Sequence, residues 1–240
     1  MMQPNANASP IHLARTTGAV WLLYVIVAIA GALFLKGLVV PTDPGATATN
    51  ILAHESAFRA GATIGLLSTA VYIALTAYLY QLLRPVNRNI ALLAAFFGLA
   101  GCTVQAVGTV FQGAGLMLLK GAFPVTGFTV EQVRTMSLIL FRMPAPTGYV
   151  YLILFALFDI MIGYLIYRST FLPRALGVLM MIAGVAWLTF ALPPFANPLL
   201  PYVIVVGGLA EVAILLWLLI KGVDSDRWIE QAGAARSTAP

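Results

Sequence analysis

The sequence predicts an all-α integral membrane protein, a bundle of six transmembrane helices. Of its 240 residues, 61% are hydrophobic and 9% are charged, whereas a soluble domain has roughly 45–50% apolar and about 25% charged residues. The apolar residues form runs long enough to cross a bilayer as helices, which takes about 20 residues each. Basic residues stand singly at the ends of these runs, as is usual in membrane proteins.

Each run is predicted to be a helix, because lipid offers no partner for unpaired backbone groups. The polar, Pro- and Asn-containing residues 1–17 are predicted to be a disordered tail. Residues 18–222 are predicted to form a six-helix transmembrane domain, and residues 223–240 a cytoplasmic C-terminal tail. The predicted spans are 19–40, 60–83, 90–119, 147–167, 175–192 and 202–220.

Short helices are predicted in the two longer loops. In the loop after the first span, Asp43 can cap a helix that has Pro44 at its first position. In the loop after the third span, Thr129 and Gln132 have the spacing of a capping box. We interpret both as short interfacial helices at the outer surface of the membrane.

The basic residues of the short loops predict the orientation. Arg84 and Arg88 separate spans two and three, and Arg168 and Arg174 separate spans four and five. Cytoplasmic loops collect Lys and Arg. The sequence therefore predicts a multi-pass protein of the cell (plasma or inner) membrane with both termini in the cytoplasm.

The composition argues against several classes of protein. The net charge is +5, but the basic residues are not interleaved with aromatics as in nucleic-acid-binding segments, so no nucleic-acid partner is predicted. The single cysteine, Cys102, allows no internal disulfide. Two histidines without metal-ligand spacing predict no metal site. No phosphate-binding loop or catalytic triad is present, and no cofactor is predicted.

Two carboxylates, Asp159 and Glu211, lie within apolar runs, where an ionisable group is costly and is a candidate for function. Asp159 precedes Arg168 by nine residues, and Glu211 precedes Lys221 by ten. Both are therefore expected about 14–15 Å from the inner boundary of the membrane. At equal depth the acids could face each other and share a proton. Alternatively, each is a protonated acid that hydrogen-bonds to a neighbouring helix.

A polar face is predicted on the third span. Gln105, Thr109 and Gln112 recur at i, i+4 and i+7 and share one side of a helix. Tyr72 on the second span could line the same interior. Such a face either borders a ligand cavity or makes hydrogen bonds between helices. Trp21, near the start of the first span, is interpreted as part of an interfacial aromatic belt.

Four segments carry a family resemblance: RPVNRNIALLAAFF at 84–97, GYLIYRSTFLPRALG at 163–177, LWLLIKGV at 216–223, and residues 48–52. In these segments the chain resembles the membrane protein family called domain of unknown function 4386, over roughly residues 14–230. The resemblance implies no activity. Many members carry histidines where this chain has Ala145 and Asp159, so it implies no metal site here.

Three classes of function remain open. The protein could bind or transport a small or lipid-like molecule within the bundle. Six spans are few for a monomeric transporter, so transport would call for a homo-oligomer or a membrane partner subunit. It could instead be a structural or accessory subunit whose surroundings are the lipid bilayer. An intramembrane enzyme is less favoured, because only Asp159, Glu211 and His54 could supply its chemistry.

Overall fold

The structure, a computed structural model, describes residues 9–123 and 126–237, and this part of the chain is helical without a β-strand. A short 3-10 turn, Thr189–Ala191, follows the seventh helix. The helices in chain order are α1 Pro10–Leu35, α2 Pro44–Ala53, α3 Glu55–Leu83, α4 Arg88–Leu119, α5 Val130–Arg142, α6 Pro144–Arg168, α7 Arg174–Leu188, α8 Pro193–Ile220 and α9 Ser225–Ser237.

The predicted all-α membrane architecture is confirmed. Within the described residues, 6 helical segments are long and apolar enough to cross a membrane. They are Pro10–Leu35, Glu55–Leu83, Arg88–Leu119, Val130–Arg168, Arg174–Ala191 and Pro198–Ile220. Each contains one of the predicted spans or most of it, so the protein is a multi-pass membrane protein.

The ends of α1 differ from the prediction. Residues 10–17, expected to belong to a disordered tail, are the first turns of α1, while residues 1–8 of that tail lie outside the described residues. Ala14 and Thr17 are buried, so tertiary packing orders these turns. At its other end α1 stops at Leu35 rather than at residue 40, and the turn after it contains Gly37 with φ of 78°. That left-handed conformation suits glycine and ends the helix.

Helix α8 also begins earlier than predicted. It starts at Pro193, and Pro198 and Pro201 lie within it. A proline at the first helical position loses no hydrogen bond, and membrane helices tolerate internal prolines where nearby groups satisfy the freed carbonyls. The prolines were therefore misleading as markers of a loop.

The short helices of the two longer loops are present with the predicted caps. Oδ1 of Asp43 accepts a hydrogen bond from Ala46 N at 2.8 Å. The side chains and backbone groups of Thr129 and Gln132 form the reciprocal capping box. The apolar face of α2 packs on protein, since Ile51 is fully buried.

The C-terminal tail contains a docked helix. Nε1 of Trp228 on α9 donates to the main-chain oxygen of Leu82 at 2.9 Å. Oε1 of Gln231 accepts from both N and Oγ1 of Thr170 at 3.0 Å. These bonds attach α9 to the end of α3 and to the loop between α6 and α7.

The described residues within the following ranges form two compact units. The first contains residues 1–23, 71–101 and 152–240, and its core includes Leu79, Phe158 and Ile214. The second contains residues 24–70 and 102–151. The core of the second unit is a cluster of Ile51, Phe58, Leu116 and Phe141.

Candidate functional site

The six candidate residues fall into two sets of three. Asp159, Glu211 and Tyr72 belong to the first unit, and Gln105, Thr109 and Gln112 belong to the second.

The two acids of the first unit are near each other. Asp159 on α6 is 3% exposed, whereas Glu211 on α8 is partly exposed. Asp159 and Glu211 are close enough for their carboxyl groups to interact electrostatically. Like charges repel strongly in an apolar interior, so the properties of each carboxyl group depend on the other.

Close helix packing sets the position of Asp159. A Cβ at Gly184 of α7 would lie 2.8 Å from Ala156 O, and a Cβ at Gly163 of α6 would lie 2.7 Å from Gly177 O. Only glycine allows the backbones of α6 and α7 to approach this closely. The segment of α6 that carries Asp159 is therefore held between two glycine contacts.

Tyr72 packs on the same helix. It is 7% exposed, and its ring centroid lies 4.8 Å from that of Phe155 and 6.0 Å from that of Phe158. Tilted aromatic pairs at these distances are favourable. Because Phe158 immediately precedes Asp159, Tyr72 helps to orient this turn of α6.

Trp21 is a residue of this site that the sequence analysis missed. Its ring is 2% exposed and enclosed by protein, so its assignment to an interfacial belt is wrong. Nε1 of Trp21 makes no hydrogen bond of good geometry within the described residues, although it is near enough to Glu211 to act as a donor. The contact is therefore weak. Ala14, Thr17 and Trp21, spaced i, i+3 and i+7, carried the signal of a buried helix face.

The polar face of the second unit borders a cavity of about 300 Å³. Gln105, Thr109 and Gln112 of α4 line it, as the sequence predicted for one face of that helix. Thr147 and Tyr151 of α6 contribute further polar atoms. The rest of the lining is small or apolar, and consists of Ala32, Leu35, Gly61, Ala62, Gly65, Gly108 and Pro144.

The hydrogen bonds of the polar face are incomplete. The hydroxyl of Thr69 lies 3.3 Å from Oε1 of Gln105 and 3.1 Å from Gly65 O. Thr109 and Gln112 are half-buried, and their side chains have no hydrogen bond within the described part of the chain. The cavity can therefore offer donors and acceptors to a bound molecule.

Metal-binding chemistry has little support in the described residues, which contain no cluster of three or more His, Cys, Asp or Glu side chains. His54 is exposed, and its Nδ1 lies 3.0 Å from Asn50 O. That contact lies within the second unit, whereas both acids belong to the first. The prediction that the chain binds no metal stays a prediction.

Comparison with known proteins identifies the family. The family described as "Domain of unknown function (DUF4386)" matches residues 16–222. A protein of Archaeoglobus fulgidus, described as uncharacterized, is 26% identical over 147 residues, covering 60% of this chain and 72% of that protein. No solved structure matches. The match covers most of the chain and confirms the resemblance noted from its segments, so the protein belongs to the family of domain of unknown function 4386.

Proposed function

We propose that the protein binds a small or lipid-like molecule in the cavity beside α4. The observation that carries this proposal is that Thr109 and Gln112 line a cavity of about 300 Å³ and have no protein partner within the described residues. Ligand sites in proteins begin at about this volume and combine apolar walls with a few polar groups.

The lining points to a neutral ligand. No Asp, Glu, Lys, Arg or His borders the cavity, and a charged molecule would lose its hydration without gaining a partner. Amide and hydroxyl groups on one wall and Gly, Ala and Leu on the others suit an apolar molecule with a hydroxyl or carbonyl group. The headgroup of a monoacylglycerol has this chemistry and is small enough for a cavity of about 300 Å³.

The acid pair supports a more specific proposal, namely that the protein transports the molecule that it binds. Asp159 and Glu211 could take up and release a proton, which is the chemistry of proton coupling in transporters. Transport would then require a homo-oligomer or a membrane partner subunit. The alternative to ligand binding is that the protein is an accessory subunit without chemistry of its own. Purification with a fixed partner protein, and with no molecule bound in the cavity, would support this alternative.

Filling the cavity tests the binding proposal. A Cβ at Gly65, which lines the cavity, meets no atom within 4 Å, so Gly65→Leu should fill the cavity without disturbing the fold. Gly208 of α8 also meets nothing within 4 Å but does not line the cavity. Gly208→Leu is therefore the matched control.

Native mass spectrometry in detergent gives the readout, with added monoacylglycerol as the neutral probe and a fatty acid as the charged one. We expect the wild-type protein and Gly208→Leu to bind monoacylglycerol. Gly65→Leu should bind it at least about tenfold more weakly, because the new side chain occupies the space of the ligand. Equal binding by Gly65→Leu, or preference for the fatty acid, would contradict the proposal. The same spectra report oligomeric state and any partner subunit.

We also propose that the protein lies in the plasma (inner) membrane with both termini in the cytoplasm. The support is the set of arginines in the short loops. In a Cys102→Ala background, Ile229→Cys on α9 and Val130→Cys on α5 introduce exposed thiols. We expect a membrane-impermeant maleimide to label the α5 thiol in intact cells and the α9 thiol only after lysis. The reverse labelling pattern would show that both termini lie outside the cytoplasm.

A further inference from the structure

A basic groove lies in the first unit, apart from the acids and their neighbours. We define it by the exposed Arg84, Arg88, Arg168 and Arg174 together with the amide side chains of Asn87 and Gln231. Arg84 and Arg88 line one depression, of about 610 Å³, with Asn87 and Gln231. The same two amides line a smaller one, of about 120 Å³, with Arg168. Arg168 also lines a third with Arg174.

None of the four arginines forms an ion pair within the described residues. Within the described residues the ion pairs join Glu55 to Arg59 and Lys120, and Asp224 to Arg227. No carboxylate lines any of the three depressions. Arginines that line adjoining depressions without an acid leave their guanidinium groups available to an anion.

The positioning of Gln231 adds a neutral donor. Its Oε1 accepts from the main-chain N and from Oγ1 of Thr170. Because the main-chain N–H can only donate, the oxygen of the amide must face Thr170. The Nε2 hydrogens are then the part of Gln231 that can donate into the groove. The docking of α9 therefore places a donor beside the arginines.

Apolar stripes run away from two of the arginines along their own helices. On α4, Leu92 and Phe96 follow Arg88 at i+4 and i+8, and both are exposed. On α7, Val178 and Ile182 follow Arg174 with the same spacing and are exposed as well. Residues at this spacing share one helix face. Each stripe thus begins at a guanidinium and continues as a surface suited to acyl chains.

We propose that the basic groove binds the phosphate headgroup of an anionic phospholipid, whose acyl chains lie on the stripes of α4 and α7. Arginine presents a planar fork of donors that fits phosphate in a bidentate manner. Basic pockets between membrane helices on the cytoplasmic side are suited to phosphate-bearing headgroups. Positive charge alone would serve topology, but topology does not require the arrangement of the arginines around two amides.

Lysine substitution separates the two roles, because it keeps the charge that sets topology and removes the bidentate fork. The test variant is Arg88→Lys combined with Arg174→Lys, and the matched control is Arg59→Lys with Arg134→Lys on α3 and α5. Each protein is reconstituted in phosphatidylcholine nanodiscs with a minor share of phosphatidylglycerol. Native mass spectrometry after ejection from the nanodisc reports the lipid retained.

We expect the wild type and the control to retain phosphatidylglycerol selectively, and the Arg88/Arg174 variant to bind it at least about tenfold more weakly, as the loss of charge-assisted hydrogen bonds predicts. Equal retention by that variant would overturn the proposal, as would retention of phosphatidylcholine at the same level. Inorganic phosphate and pyrophosphate are titrated in phosphatidylcholine alone. Saturable displacement of the lipid by either one at low concentration would assign the groove to a free anion instead.

A second variant keeps the test decisive if the lysine variant is unstable. Gln231→Glu retains an oxygen that accepts from Thr170, so α9 stays docked, but it puts a negative charge in place of the donor. We expect this variant to lose phosphatidylglycerol selectivity while its melting temperature in phosphatidylcholine stays that of the wild type. Unchanged selectivity would exclude Gln231 and the groove as the headgroup site.

Discussion

The indole of Trp228 donates a hydrogen bond to the main-chain oxygen of Leu82 at 2.9 Å, across 146 residues of sequence. Leu82 lies in the last turn of α3, where helix carbonyls lack a partner within the helix. The bond therefore gives a carbonyl group at the C-terminal end of α3 a hydrogen-bond donor, and it also holds the C-terminal helix α9 in place.

Replacing the donor should loosen α9. Trp228→Phe keeps a ring but removes the hydrogen bond, at a cost of about 1 kcal/mol. Because α9 is a terminal helix, we expect local opening rather than global unfolding. Trypsin cleavage at Arg227, followed in detergent, should be several times faster. Ile229→Ala, at an exposed position of the same helix, should leave the rate unchanged.

The crossing of α6 and α7 should not accept a methyl group. A Cβ at Gly177 would lie 2.5 Å from Gly163 O, and Gly177→Ala must therefore separate the two helices. We expect a loss of about 1–3 kcal/mol in the free energy of unfolding, measured by thermal unfolding in detergent. Gly208→Ala, which meets no atom within 4 Å, should be neutral or more stable by up to about 1 kcal/mol. Equal effects of the two changes would argue against the tight crossing.

Ser137 on α5 should be better replaced by alanine. The side chain is 1% exposed, and its Oγ has no hydrogen-bond partner within the described residues. Removing a buried, unsatisfied hydroxyl relieves a cost of about 1–3 kcal/mol, offset in part by the small cavity left behind. We expect Ser137→Ala to raise the melting temperature, whereas Thr129→Ala, which deletes the capping hydroxyl of α5, should lower it. A decrease for Ser137→Ala would indicate a partner for the hydroxyl.

The acids should be energetically coupled. Asp159→Asn and Glu211→Gln preserve shape and remove charge, and we expect both variants to insert in the membrane normally. In a double-mutant cycle, their effects on thermal stability should deviate from additivity by about 0.5–3 kcal/mol, as for groups in one electrostatic network. Asp159→Asn combined with Glu230→Gln, an exposed acid on α9, should be additive. Additivity of both pairs would show that Asp159 and Glu211 act independently.

The sequence was a good guide to the elements and to one face of one helix. Run length and hydropathy located all six spans, and capping chemistry located α2 and α5, because these signals are local. The face of Gln105, Thr109 and Gln112 followed from helical spacing. The ends of α1 and α8 were misjudged because tertiary packing, rather than composition, orders residues 10–17, and because prolines suggested a loop where a helix begins.

The tertiary structure decided what the sequence left open. Helical spacing shows that residues share a face, but it does not say what that face meets. Only the packing of α1, α3, α4 and α6 around Gln105 leaves a cavity there. The distances in sequence from Arg168 and Lys221 predicted that Asp159 and Glu211 lie at a similar depth in the membrane. Side-chain packing, including the contact of Gly184 with Ala156, sets the rotation of the helices and brings the two carboxyl groups close enough to interact. Trp21 and Gln231 acquired their places in the same way, through contacts between residues far apart in the chain that no local pattern encodes.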